Sequence, residues 1–168
     1  KRYTAVLSHL RHIIKENDML NYSKYIIDAH AHIFPDKIAV KAADNIGRFY
    51  DLYMNFDGTT DTLIKQGDEC GVSKFVVQSV ATVPHQVKRI NDFIVSAVQK
   101  YPDRLIGFGS LHPDMNGMEE EIDRLISIGL HGIKLHPDFQ KFAINDENAC
   151  RIYDAVGDRL PFLIHTGD

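Results

Sequence analysis

Two histidines two residues apart, His30 and His32, are the side chains of this chain best suited to chemistry. They lie in Tyr25-Ile26-Ile27-Asp28-Ala29-His30-Ala31-His32-Ile33-Phe34, which reads as a β-strand. Strand side chains alternate between faces with a period of two. Strict alternation puts Asp28, His30 and His32 on one face and Ile27, Ala29, Ala31 and Ile33 on the other. Two imidazoles whose backbones stand about 6–7 Å apart can converge on one ion at metal–nitrogen distances of about 2 Å. The plain alternative is a pair of polar residues on a solvent-facing strand. The apolar back face and the absence of charged immediate neighbours favour a buried strand and a metal.

Further candidates fall late in other strand-like runs. His165 has Leu163 and Gly167 on its own face and Phe162 and Ile164 behind it. Alone it would read as a buried histidine bonded to backbone; beside His30 and His32 it reads as a third ligand. Lys134 and His136 share the inward face of their strand. Lys134 reads equally as a group that neutralises a substrate carboxylate and as an ordinary interior lysine. His136, just before Pro137, is as much a candidate for substrate contact as for a strand end. His112 before Pro113 is better explained as a strand cap. Asp28 either orients a ligand histidine from behind or marks the foot of its strand. His9, His12, His85 and His131 read as surface residues.

The elements that must position these residues recur with a rhythm. A strand-like run at Lys74–Ala81 follows the first after a long connection, and runs at Arg104–Leu111, His131–His136 and Pro161–His165 follow it at intervals close to thirty residues. Between them lie helical stripes: Ile90, Phe93, Ile94, Ala97, Val98 and Tyr101; Met118, Ile122, Leu125 and Ile126, with Gly129 as the stop; and Ala149, Ile152, Tyr153 and Val156. Leu63, Gly67 and Cys70 trace a weaker stripe before Gly71. Strand–helix units of this length imply right-handed crossovers and a parallel sheet. No Gly-x-Gly-x-x-Gly or Walker loop follows any strand, which removes the usual signature of a nucleotide-binding open sheet. Histidines gathered at strand C-terminal ends favour an α/β fold of the (β/α)8 TIM-barrel type. Eight such units need about 250 residues, so only about the first five are expected here.

The expected division is a helical leader over 1–24, amphipathic through Val6, Leu10, Ile13 and Ile14, and a partial barrel over 25–168. The long connection over residues 35–62 contains the turn Asn55-Phe56-Asp57-Gly58. It reads equally as a lid at the active-site end and as an extra helix packed through Ile38, Ala42, Ile46 and Phe49.

Composition sets bounds. Nineteen Lys and Arg against 23 Asp and Glu, without long charge blocks, leave no nucleic-acid footprint. No apolar run has the length of a membrane span. Arg11, His12 and Lys15 break any signal-peptide core at the start. Two cysteines without paired spacing, Cys70 and Cys150, suit a reducing compartment, so a cytoplasmic protein is expected.

Asp28-Ala29-His30-Ala31-His32, Gly132-Ile133-Lys134-Leu135-His136-Pro137 and Leu163-Ile164-His165-Thr166-Gly167, three motifs in order on successive strands, together resemble the amidohydrolase superfamily. The nearest branch is amidohydrolase family 2, the metal-dependent hydrolases that include relatives of aminocarboxymuconate-semialdehyde decarboxylase. Ala81-Thr82-Val83-Pro84 and Gly107-Phe108-Gly109-Ser110-Leu111-His112-Pro113 are similar to that branch as well. The resemblance implies that His30, His32 and His165 ligate a divalent metal, zinc above all; Lys134 and His136 remain the candidates for catalysis. It also offers Lys134 as a carboxylated lysine bridging two metals. The strand-six histidine and strand-eight aspartate of such enzymes have no counterpart in the sequence. Metal-activated hydrolysis of a carboxylated, amide, ester or lactone small molecule is the implied activity. Decarboxylation on the same scaffold is the first alternative, and an inactive fragment or pseudo-enzyme with a residual metal site the second. A small-molecule substrate is the expected partner, with no nucleic acid and no membrane, and a homodimer is left open.

Overall fold

The computed structural model describes residues 25–166, so the leader expected at 1–24 lies outside the described residues. Five strands form one sheet: β1 (Ile27–His32), β2 (Lys74–Gln78), β3 (Leu105–Ser110), β4 (Gly132–Leu135) and β5 (Phe162–Ile164). Every neighbouring pair is parallel, and the strand order is the chain order. The helices are α1 (Asp36–Phe49), α2 (Thr60–Cys70), α3 (Val87–Lys100), α4 (Met118–Ser127), the short α5 (Pro137–Gln140) and α6 (Glu147–Val156). A 3₁₀ turn at Pro84–Gln86 leads into α3. Parallel strands in sequential order with helices between them are the first five units of a (β/α)8 barrel. The sheet curls: Lys134 Nζ on β4 reaches within 3.2 Å of His30 Nε2 on β1, although β2 and β3 lie between them in the sheet.

Alternation along the strands sorts two environments. Phe75, Val77, Leu105, Ile133 and Leu135 point outward and are buried under the helices. Ile94 and Ala97 of α3, Ile122 and Leu125 of α4, and Ile152 and Val156 of α6 meet them, as the helical stripes require. Burying side chains of this size stabilises the fold by about 1.5–3 kcal/mol each. The inner face carries His32, Gln78, Phe108, Ser110 and Lys134. Gly132 leaves room for the Phe108 ring there, since a Cβ on it would stand 2.4 Å from that ring. Gly71 ends α2 in the left-handed region, at φ 74°.

Two expectations are corrected. The buried face of α1 is Ala39, Ala43 and Gly47, while Ile38 and Phe49 remain about half exposed. Small residues spaced by four let this helix lie close against the rest of the molecule, which a stripe of large residues would prevent. In β1, Asp28 pairs with Phe75 but Ala31 pairs with Val77, so β1 holds one extra residue between them. The register therefore places Asp28 on the helix-facing side with Phe75 and His32 on the inner side with Gln78. Strict alternation fails at this bulge, a device that re-aims side chains at strand ends. No helix among the described residues is long and apolar enough to cross a membrane.

Candidate metal centre

His30 and His32 reach the mouth of the sheet because of that bulge. The Asp28 carboxylate accepts a hydrogen bond of 2.9 Å from the His30 backbone N–H, closing the extra turn of chain locally. Asp28 thus bonds to the backbone of His30. The Nε2 atoms of His30 and His32 then stand 3.1 Å apart. Two nitrogens on a tetrahedral ion would be separated by roughly 3.3 Å, so the spacing of the pair matches one metal.

His136 arrives from β4. Its backbone N–H donates to Gln140 Oε1 at 2.8 Å, and the same side chain donates through Nε2 to the carbonyls of Ala81 and Leu111, at 3.0 and 2.7 Å. One buried amide on α5 thereby ties together the segments that follow β2, β3 and β4. The His136 ring is stacked between Phe139, at a centroid distance of 3.9 Å, and His165, at 4.1 Å. Tyr50, the residue that closes α1, lies across both histidines: its Oη is 3.0 Å from His136 Nε2 and 3.1 Å from His165 Nε2. Among the described residues, the trio of metal-type side chains whose donor atoms all lie within 4.8 Å of one another is His136, Asp138 and His165. His136 Nδ1 is buried without a hydrogen-bond partner, 4.0 Å from the Asp138 carboxylate.

One cavity of about 580 Å³ gathers His30, His32, His136 and His165. Its walls are largely apolar, formed by Phe34, Ile46, Met54, Phe56, Leu63 and Phe139, with Tyr50, Thr59, Thr62 and Gln66 as the polar remainder. The long connection after β1 supplies much of this lining, so it contacts the site as a lid does.

The electrostatics suit metal donors. Burial above all, then the neighbouring Lys134 charge, pushes His32 down to about 3. Burial, then His165 and Lys134, pushes His136 to about 4. His30 is held below its ordinary value by burial first, then Lys134 and His165. Near pH 7 these three rings are neutral, with a lone pair to offer. Burial also lowers Lys134 to about 8. Its side chain is wholly enclosed and touches His30.

Of the other histidines, His112 is buried and its Nδ1 accepts the Asp114 N–H at 3.1 Å, a local cap. His85 and His131 are exposed, while His9 and His12 lie outside the described residues. Tyr50 and Gln140 were missed by sequence reasoning. The only trace of Tyr50 is the small-residue spacing Ala39, Ala43, Gly47, which fixes the face of α1; Gln140 leaves no pattern at all.

Comparison with known proteins agrees with this architecture. The family model described as amidohydrolase matches residues 27–168. No curated protein matches the chain. Among solved structures, it is similar to 5-carboxyvanillate decarboxylase from Novosphingobium aromaticivorans, complexed with manganese and 4-hydroxy-3-methoxy-5-nitrobenzoic acid. That pair has a TM-score of 0.65 and 21% identity over 87% of this chain and 51% of the other. It is similar too to 4-oxalomesaconate hydratase from Rhodopseudomonas palustris, at TM-score 0.58 and 19% identity over 83% and 52%. A probable 2-pyrone-4,6-dicarboxylic acid hydrolase from Acinetobacter baumannii, with citric acid bound, gives 0.55 and 22% over 84% and 49%. At such identities the likeness establishes the fold, and function must come from the site. The chain spans about half the length of these structures. With the family model covering nearly every described residue, the chain belongs to the amidohydrolase family.

Proposed function

We propose that this chain supplies the metal-binding half of the barrel to an enzyme acting on a small carboxylic acid, with His30, His32 and His165 as ligands of one divalent ion. The observation that carries this reading is the His30–His32 nitrogen pair, 3.1 Å apart at a largely apolar cavity that His165 also lines. An all-imidazole donor set suits zinc, while the manganese in the similar 5-carboxyvanillate decarboxylase makes that ion the second choice. Such an ion supplies Lewis-acid polarisation of a substrate oxygen and acidification of water.

The chain's own residues would do the rest. Phe34, Ile46 and Phe139 exclude water and seat an apolar or aromatic ring. Thr62 and Gln66 offer polar contacts along one wall. Lys134, enclosed beside His30, offers positive charge to a substrate carboxylate, and His136 lines the same rim. Hydrolysis of a carboxylated amide, ester or lactone is the first reading. Decarboxylation is the second, favoured by the apolar walls, since losing a carboxylate as neutral carbon dioxide is easiest where water is scarce. Both readings share one test. In the full-length protein, replacing His30 and His32 together with Ala should abolish stoichiometric metal in dialysed samples measured by elemental analysis. A full equivalent retained would overturn the ligand assignment.

A further inference from the structure

Tyr50 makes the least expected contact in the site. It ends α1, and the chain then turns back sharply: the Leu52 N–H donates to Gly47 O at 2.8 Å, and Asp51 adopts φ 52°, a left-handed conformation unusual for a non-glycine residue. Gly47 permits this turn, because a Cβ there would lie 2.6 Å from Leu52 O and 2.8 Å from Met54 Cγ. Strained backbone of this kind persists only where surrounding structure enforces it. The Tyr50 ring is also held edge-on to Phe49, with centroids 4.8 Å apart. The turn and the ring contacts aim a single hydroxyl between His136 Nε2 and His165 Nε2.

The proton count is decisive. A phenol has one proton to donate, so at most one of the two imidazoles accepts from Tyr50 and at least one donates its own Nε2–H to the oxygen. The Asp138 carboxylate, 4.0 Å from His136 Nδ1, favours the proton on that nitrogen and leaves His136 Nε2 as the acceptor. His165 is then the donor, and its Nε2 carries a hydrogen. In this arrangement the Nε2 lone pair of His165 is not offered to an ion. Coordination through that atom requires the Tyr50 contact to break and the ring hydrogen to move to Nδ1.

We propose that Tyr50 is a positioning residue that competes with the metal for His165 Nε2, so that metal capture by His165 and the seating of the α1 turn are coupled. This rests on His165 being a ligand, as proposed above. When the ion takes His165, the Tyr50 hydroxyl leaves that nitrogen and the end of α1 is released at the cavity wall. A lid element and a ligand histidine thus share one two-state contact.

The test uses the full-length protein, zinc as the probe, and a competing chromophoric chelator to measure affinity. Tyr50→Phe removes the hydroxyl and keeps the ring, so zinc should bind roughly three- to tenfold more tightly, the range of one lost competing hydrogen bond. A merely structural tyrosine would give unchanged or weaker binding, and either result overturns the proposal. A second readout is spectroscopic: zinc added to the wild type should give a tyrosine ultraviolet difference signal. That signal should vanish in Tyr50→Phe, and its persistence there would overturn the coupling. The two readings separate cleanly. If zinc binds stoichiometrically but Tyr50→Phe is no tighter, the metal assignment stands and the Tyr50 inference falls. If the wild type takes up no zinc, both fall.

Discussion

Lys134 Nζ stands 3.2 Å from His30 Nε2, a contact made across the curl of the sheet by two residues 104 apart in sequence. It places the enclosed cation of β4 directly against a proposed metal ligand. Burial lowers Lys134 to about 8, so the folded chain holds this proton less firmly than the unfolded chain does. The unfavourable contribution is therefore complete below about pH 8, shrinks as pH rises toward the ordinary lysine value of about 10.4, and is gone above it. Lys134→Met keeps length and apolar stem. It should raise stability at pH 7 by about 1–3 kcal/mol, as replacement of buried charge by fitted apolar atoms does. Urea unfolding at pH 7 and pH 10 checks this: the gain should diminish at the higher pH.

Gly132 faces Phe108 at the same register level of β3 and β4, and a Cβ at 132 would fall 2.4 to 2.7 Å from three atoms of that ring. Gly132→Ala should cost about 1–3 kcal/mol through overpacking. Adding Phe108→Leu should recover part of the loss. A double-mutant cycle by chemical unfolding measures the coupling, and purely additive losses would contradict the contact.

Strands, helices and their order could be read from the sequence because each signal is local: alternation, the i, i+3, i+4 stripe, and a repeat near thirty residues. The histidines at strand ends were legible for the same reason. The bulge that separates Asp28 from His32 was not, since register belongs to two strands and β1 alone gives no sign of it. Nor was Tyr50, whose position depends on which face of α1 is buried; Ile38 and Phe49 promised one face, and the small residues Ala39, Ala43 and Gly47 took the other. Gln140 and Asn91 were missed because a buried amide looks, in sequence, like any surface one.

The rim formed by α2 begins with a local lattice. Thr59 caps the helix by accepting the Thr62 N–H at 3.3 Å, and the Asp57 carboxylate accepts the N–H and hydroxyl of Thr59, both at 2.9 Å. Thr59→Ala should cost about 1 kcal/mol in thermal or urea unfolding. These bonds, the Thr59 N–H first, hold the Asp57 carboxyl below its usual range. The folded chain binds this proton less readily, so the contribution is present above about pH 4 and lost as pH falls through the lowered folded value. Asp57→Asn should show a smaller loss of stability on acidification than the wild type.

Asn91 binds α3 to the end of β3 and to α4. Its Nδ2 donates to Ser110 O at 3.1 Å and to Glu121 Oε1 at 2.7 Å, while its Oδ1 accepts the Ser110 N–H at 2.7 Å. Asn91 and Ser110 are wholly buried and Glu121 nearly so. Glu121 is in turn gripped by Arg124, through Nε at 2.8 Å and Nη2 at 2.7 Å. Ser110 Oγ accepts the Ala81 N–H at 3.0 Å, so the network reaches the segment after β2 that Gln140 also holds. Asn91→Ala would strand a backbone N–H and a carbonyl of Ser110 where water does not reach. Unsatisfied buried groups cost about 1–3 kcal/mol apiece, so a loss of about 2–4 kcal/mol is expected in urea unfolding. Asn91→Asp discriminates further: it keeps the acceptor for Ser110 N–H but sets a carboxylate against Glu121. It should therefore destabilise at pH 7 and recover as acid protonates the pair. A loss at either substitution below about 0.5 kcal/mol, within the range of surface changes, would show that the network does not tie β3 to its helices.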